Sequence, residues 1–144
     1  MRVLYDTSAL VAALIESHPK HTPCFLRLHE ARSGQVQGYL STHSLAELYA
    51  VLTRYPIRPP ISPIEANALI ADLIQYLALV PLTRRNYQAA IAQMVALNLP
   101  GGGIFDALIA QAALEMQADV LLTLNPKHFN RLGEAVANLV QVPV

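Results

Sequence analysis

Three carboxylates and one amide stand where the chain is expected to bring them together: Asp6, Glu47, Asp106 and Asn125. Asp6 ends the first apolar run, and Asn125 follows a later one. In open α/β sheets, ligands bind outside the carboxyl ends of the strands. A cluster of hard oxygen ligands at such an edge is typical of a divalent-cation site. We therefore predict a metal site at this edge.

Each of these acids also has a simpler structural explanation. Asp6 can cap the helix that follows it, and Asp106 can be a first-turn acid stabilised by the helix dipole. Ser44-Leu45-Ala46-Glu47 fits the capping box S-x-x-E. However, Glu47 is flanked by apolar residues on its helix, and a partly buried carboxylate needs a partner such as a cation. The functional and structural explanations both stay open at this level.

Composition limits the class of protein. The chain of 144 residues is 53% hydrophobic and 14% charged, which is typical of one globular domain, here residues 1–144. The formal net charge is zero, so charge gives no support for long-range attraction to nucleic acid, although a local basic patch is compatible with it. The single cysteine, Cys24, is expected to be a half-buried thiol in a reducing compartment. No stretch has the pattern of a membrane span, so a soluble, cytoplasmic protein is expected.

Strand and helix patterns alternate along the chain. Strands are predicted at 3–6, 36–40, 77–82, 119–124 and 139–142. Helices are predicted at 8–15, 24–32, 44–55, 63–76, 84–97 and 104–117, with a helical turn at 126–129 and a break at 18–23. This alternation predicts an α/β fold with a mostly parallel sheet and helices on both faces. Asp119 and Asn125 lie at opposite ends of one strand, about 20 Å apart, so only Asn125 can join Asp6.

Four segments in this order resemble PIN-domain ribonucleases, and in particular the VapC-like toxin subunit of prokaryotic type II toxin–antitoxin pairs. They cover nearly the whole chain, and together they are fairly specific. The segments are Asp6-Thr7-Ser8-Ala9-Leu10, Ser41–Leu52 with Ala46-Glu47-Leu48, Phe105–Ala110, and Leu121–Phe129.

The resemblance implies a three-layer α/β/α sandwich and Mg²⁺- or Mn²⁺-dependent hydrolysis of RNA phosphodiester bonds. It implies that Asp6, Glu47 and Asp106 form the acidic site, with Thr7 and Thr123 supporting it. The family's fourth acid falls at Asn125, which leaves one fewer negative charge for a second metal. The resemblance also implies an antitoxin partner and a homodimer.

Hydrolysis of an anionic phosphodiester in an acidic pocket needs a cation to reverse the sign of the site. No histidine stands in a motif that makes it an obligatory base, so a metal-activated water is the simpler nucleophile. Asp6 and Asp106 are the expected direct metal ligands, and Glu47 binds directly or orients a metal water. Basic side chains that can hold RNA phosphates include Lys127, Arg84 and Arg85.

Two other classes of protein compete with this hypothesis. A phosphoacceptor domain or an aspartate-nucleophile phosphatase also has an Asp at the end of its first strand. The phosphatase pattern requires a second acid two residues later, where this chain has Ser8. The other alternative is a non-catalytic PIN-like module that binds a protein, which Asn125 favours. Metal titration separates the hypotheses, because a pure binding module need not bind Mn²⁺.

Overall fold

The computed structural model describes the whole chain, residues 1–144. The strands are β1 (Arg2–Tyr5), β2 (Gln37–Ser41), β3 (Leu77–Val80), β4 (Val120–Leu122) and β5 (Val140–Gln141). The helices are α1 (Thr7–Leu14), α2 (His21–Arg32), α3 (Thr42–Arg54), α4 (Pro63–Leu73), α5 (Arg84–Ala96), α6 (Gly103–Glu115), α7 (Pro126–Asn130) and α8 (Glu134–Ala137).

The five strands form one parallel sheet in the order β3-β2-β1-β4-β5. The carboxyl ends of all five strands therefore lie at one edge. β1 is central and pairs with both β2 and β4, so the residues that follow β1 and β4 are neighbours across that edge. The predicted α/β sandwich is confirmed, and the sheet is parallel throughout rather than mostly so.

Alternation along the strands divides the core between the two faces of the sheet. Val3 and Tyr5 of β1 pack in one core cluster with residues of α1, α2, α3 and α4. Leu4 packs in the other cluster, with residues of α5, α6, α7 and α8. In β4, Val120 and Leu122 join the first cluster and Leu121 the second. This is the pattern expected of strands buried on both faces.

Several local predictions about helices were wrong. The predicted break at 18–23 is too long, because α2 begins at His21 and contains Pro23 in its first turn, where a missing N–H is harmless. α8 was not predicted, since its four residues are too few to show a period.

Cys24 is fully buried rather than half-buried as predicted. The longest helices have 13 residues, and none is both long and apolar enough to cross a membrane.

Helix caps explain two correct starts and one error. Ser62 caps α4 and Thr83 caps α5, as predicted, and both form complete capping boxes. The alternative explanation of Ser44 and Glu47 as a capping box is wrong, because α3 begins earlier. Ser41 is the N-cap, and its hydroxyl accepts a hydrogen bond from the Ser44 amide at 3.2 Å. Glu47 therefore has no capping role and is free to serve the site.

Candidate active site

Asp6 lies directly after β1, at the central point of the sheet edge. Its backbone N–H donates to the Leu122 carbonyl at 2.9 Å, which continues the pairing of β1 with β4. Asp6 occupies the N-cap position of α1, yet its side chain makes no capping hydrogen bond. The explanation of Asp6 as a helix cap is therefore wrong, and its carboxylate faces the site instead.

A set of hydroxyl groups holds the Asp6 carboxylate in place. Its Oδ2 accepts hydrogen bonds from Ser8 Oγ at 2.6 Å and from Thr123 Oγ1 at 2.8 Å. Thr123 Oγ1 also accepts from the Asn125 amide at 2.9 Å, and Ser8 Oγ accepts from the Leu124 amide at 3.0 Å. These bonds tie Asp6 to the end of β4. No sequence pattern singled out Ser8 for this role, beyond its place two residues after a strand-end acid.

Burial makes the charge on Asp6 costly. The residue is only 4% exposed, and this burial raises the pKa of its carboxyl group. The Ser8 and Thr123 hydroxyls lower that pKa, while the negative charge of Glu47 raises it further. Neither Lys nor Arg forms an ion pair with Asp6. An ionised Asp6 thus lacks the partner that a buried charge needs.

Glu47 projects from α3 toward the same place and is accompanied by a histidine one turn earlier. His43 Nε2 lies 3.6 Å from Glu47 Oε2, an ion-pair distance too long for a good hydrogen bond. The His43 side chain lowers the pKa of Glu47 by more than burial raises it, and the Thr7 hydroxyl lowers it as well. Thr7 Oγ1 also lies 3.0 Å from Ser44 Oγ, to which it donates. Thr7 therefore links α1 to α3 beside the acids.

Asp106 occupies the first turn of α6, which packs on the other face of the sheet from α3. Burial raises the pKa of its carboxyl group, and the charge of Asp6 is the next largest cause, followed by the opposing effect of His128. His128 Nδ1 lies 3.4 Å from Asp106 Oδ2. His43 and His128 each stand beside a site acid, which their sequence context did not predict. The spacing of His43 from Glu47, four residues on one helix, was the available signal.

The predicted oxygen ligands line one pocket of about 640 Å³. Its walls include Asp6, Glu47, Asp106 and Asn125. Asn125 precedes α7 at the N-cap position, and its side chain makes no capping hydrogen bond. No three His, Cys, Asp or Glu side chains are arranged to hold a metal ion together. Mg²⁺ keeps several waters and needs only one or two carboxylates directly, so this donor set fits an ion bound partly through water.

The basic residues predicted from sequence are placed differently from one another. Lys127, in α7, lines a small pocket that adjoins the acidic one and shares Asn125 with it. Arg84 and Arg85 begin α5 after the edge strand β3, and they line neither pocket. Lys20 lines the acidic pocket itself, and sequence reasoning missed it. It lies in the connection between α1 and α2, where no helical or strand period predicts which way a side chain points.

Known proteins share both the sequence pattern and the arrangement of this chain. A family model described as PIN domain matches residues 3–135. The chain belongs to the PIN-domain family. This PIN-domain protein is 30% identical over 115 residues to Ribonuclease VapC27 of Mycobacterium tuberculosis, covering 80% of this chain and 79% of the relative. It is 31% identical over 118 residues to Ribonuclease VapC40 of the same species, covering 81% of each.

Solved structures share the PIN-domain fold at low sequence identity. VapBC2 from Rickettsia felis, bound to a DNA fragment from its promoter, aligns with a TM-score of 0.70 at 20% identity, over 99% of this chain and 98% of that one. VapC20 of Mycobacterium tuberculosis, a toxin that cleaves the sarcin-ricin loop, aligns with a TM-score of 0.70 at 16% identity, over 88% and 92%. The predicted resemblance to VapC-like PIN domains is confirmed.

Proposed function

We propose that this PIN-domain protein is a divalent-metal-dependent endoribonuclease and the toxin of a toxin–antitoxin pair. The relatives named as ribonucleases support the activity. The observation that carries the proposal is the pocket in which Asp6, Glu47 and Asp106 converge without an ion pair to Lys or Arg. Such a site repels phosphate unless a cation is bound, and a bound cation makes it attractive.

Asp6 and Asp106 are the side chains that we propose hold Mg²⁺ or Mn²⁺ directly, with Glu47 acting directly or through water. When bound, such an ion supplies Lewis-acid chemistry, in that it activates water and stabilises the charge that develops on the phosphate oxygens. Ser8 and Thr123 keep one Asp6 oxygen oriented through their hydroxyl hydrogen bonds.

Asn125 gives the site a neutral oxygen in place of a fourth acid. Its side chain lines the pocket, and its backbone amide is fixed by the Thr123 hydroxyl at 2.9 Å. An amide oxygen can accept from water or face a metal, but it adds no negative charge. We therefore propose one tightly held ion rather than two.

Cleavage of RNA by the purified protein tests the proposed function. We expect single-stranded RNA incubated with Mn²⁺ to yield shorter fragments on a denaturing gel, and Asp106→Asn to yield almost none. Undiminished cleavage by Asp106→Asn would contradict the proposed role of Asp106. A protein that binds neither Mn²⁺ nor RNA would instead fit the non-catalytic binding module.

An antitoxin is the protein partner that we propose. The Rickettsia felis structure that shares this fold is of VapBC2, and structures of VapBC-1 from nontypeable Haemophilus influenzae and of VapBC from Salmonella typhimurium are also similar in fold, with TM-scores of 0.66 and 0.69. By analogy, we propose that an antitoxin segment covers the acidic pocket of this chain.

We propose the cytoplasm as the location of the protein, because an RNA substrate is found there.

A homodimer is the assembly that we propose, and α5 offers a surface for it. Tyr87, Ile91 and Val95 follow one another at intervals of four residues, and all three are exposed. We expect light scattering to give about twice the chain mass of 15.7 kDa, and Ile91→Glu to shift it to the monomer. Asn67→Asp adds the same charge at an exposed position of α4, which packs on the other face of the sheet from α5, and should stay dimeric. A wild-type protein that remains monomeric across the micromolar range would exclude the dimer.

The two lysines of the chain, Lys20 and Lys127, are the proposed contacts to RNA phosphates. Each flanks the acids, the first in the acidic pocket and the second in the adjoining one. We expect Lys127→Ala and Lys20→Ala each to weaken RNA binding and to lower the slope of log affinity against log salt by about 0.7. Mn²⁺ affinity should stay nearly intact.

Arg32→Ala is the control for these lysine variants, because it removes the same charge from an exposed ion pair with Asp72 outside the acidic pocket. Its salt slope should match the wild type. A lysine variant with wild-type RNA affinity and salt slope would show that this lysine does not contact an RNA phosphate.

A further inference from the structure

An exposed aromatic ring stands beside the acids, and the hydrolytic chemistry does not use it. Phe105 immediately precedes Asp106 in the first turn of α6 and lines the same pocket. Phe105 is 48% exposed, whereas Leu108 and Ile109, which follow it in the same helix, are buried. A single exposed apolar residue is common on protein surfaces, so exposure alone means little. The support beneath this ring is the informative feature.

The Phe105 ring lies flat on the imidazole of His43. The two ring centroids are 5.2 Å apart, and the planes differ by only 5°. His43 is largely covered, with a side chain 17% exposed, and it also lies 3.6 Å from the Glu47 carboxylate. One face of Phe105 is therefore occupied by a supported ring. Phe105 remains 48% exposed beside this partner ring, and it lines the acidic pocket.

The neighbouring charges indicate what such a ring can bind. Three carboxylates line the pocket, and Lys20 is the one Lys or Arg side chain that lines it with them. With a formal net charge of zero, the chain has little electrostatic attraction for an RNA strand. Contacts to an uncharged part of the substrate would therefore add to those that the bound cation and the lysines make with phosphate. Unpaired nucleobases are flat and stack on aromatic side chains irrespective of sequence.

We propose that Phe105, supported by His43, is a stacking platform for an unpaired nucleobase next to the phosphate that is cleaved. The inference rests on the proposed ribonuclease function and assigns this residue a role in substrate binding. A base stacked on Phe105 would hold the RNA strand close to Asp106, which is the next residue of the protein chain. It would also favour unpaired bases over those held in a duplex.

Binding of two fluorescein-labelled oligonucleotides of equal length and charge tests the platform. One is a single-stranded adenosine oligoribonucleotide, and the other has the same ribose-phosphate backbone without bases. Anisotropy is measured with Ca²⁺, and a gel confirms that the oligonucleotide stays intact. We expect Phe105→Ala to weaken binding of the adenosine strand by about tenfold, within the range known for base–aromatic stacking. Binding of the abasic strand should not change.

Phe25→Ala is a closely matched control. Phe25 is also 48% exposed and also stacks on a histidine, His29, but it lies on α2 and does not line the acidic pocket. It should bind both strands like the wild type. Phe105→Tyr should retain the preference for bases, whereas Phe105→Leu, apolar but without a π-face, should lose most of it.

The outcomes separate this inference from the ribonuclease proposal, because cleavage is measured independently with Mn²⁺. If the wild type cleaves RNA and Phe105→Ala keeps the preference for the adenosine strand, the platform is overturned and the nuclease is not. Phe105 would then be an apolar contact for a protein partner. A base preference that depends on Phe105, without any cleavage, would support the platform and overturn the nuclease. Absence of both RNA binding and cleavage would overturn both.

Discussion

Replacing Asp6 with Asn is expected to lower the rate of RNA cleavage by about 100-fold or more, while the protein stays folded. Asn has nearly the same shape, and its amide oxygen can accept the hydrogen bonds that Ser8 and Thr123 donate to Oδ2. What it lacks is the negative charge. The loss of activity should therefore appear without loss of secondary structure, as measured by cleavage rates and circular dichroism on the same preparations.

The same variant should be more stable than the wild type when no metal is present. Burial raises the pKa of Asp6, so as pH rises the unfolded chain loses this proton before the folded chain does. The free energy of unfolding contributed by Asp6 therefore falls as pH rises through the ordinary carboxyl pKa toward the raised one. Asn does not titrate. The variant should gain about 2–4 °C in Tm for each 1 kcal/mol relieved, at neutral but not at acidic pH.

Asp72→Asn provides the matched control for this experiment. Asp72 is exposed on α4, where it forms a surface ion pair with Arg32 at 3.2 Å. Surface pairs contribute little, so activity and Tm should stay near wild-type values. A metal-free Asp6→Asn protein that melts below the wild type at neutral pH would show that the charge of Asp6 is not a cost to the fold.

Removal of divalent metal should abolish cleavage and lower the stability of the wild type. The three carboxylates repel one another, as the effects of Asp6 and Glu47 in raising the pKa of Asp106 indicate. A cation that binds the folded state relieves this repulsion and adds about 2.7 kcal/mol of stability when its concentration is 100 times its Kd. We expect Mn²⁺ to raise Tm and EDTA to reverse both that gain and the activity. Equal cleavage in excess EDTA would rule out the metal-dependent mechanism.

Two variants locate the ion within the pocket. Asp6→Asn should show almost no rise in Tm with Mn²⁺, because it lacks the proposed direct ligand. Asn125→Asp adds a carboxylate to the lining and should bind Mn²⁺ more tightly by calorimetry. Unchanged or weaker binding by Asn125→Asp would count against a position for Asn125 next to the metal.

Local chemistry explains which parts of the fold were predictable. Apolar runs and their alternation with helical periods indicated all five strands, and Ser62 and Thr83 marked helix starts correctly because a cap acts within three residues. The error at Ser44 has a related cause: the pattern S-x-x-E was present, but the backbone had already become helical after Ser41. Whether a cap is used depends on where β2 ends, which pairing with its neighbours decides.

The site was predictable in its acids and not in their surroundings. The position of Asp6 and Asn125 after apolar runs was visible in the sequence, since strand direction orders such residues along one edge. Glu47 stood out by its apolar neighbours on a helix and Asp106 by its place in the first turn of a predicted helix, and all four residues line one pocket.

The layers of the fold and the four oxygen-bearing residues that line the pocket could be predicted from local sequence patterns. Which other side chains lie beside these residues depends on how the helices pack. His43 and Phe105 stack across α3 and α6, although they lie far apart in the chain, and Lys20 reaches the pocket from a connection without a period. The physical reason is that periodicity and capping report interactions within about one helical turn, whereas these contacts arise only when two helices pack over the same end of the sheet.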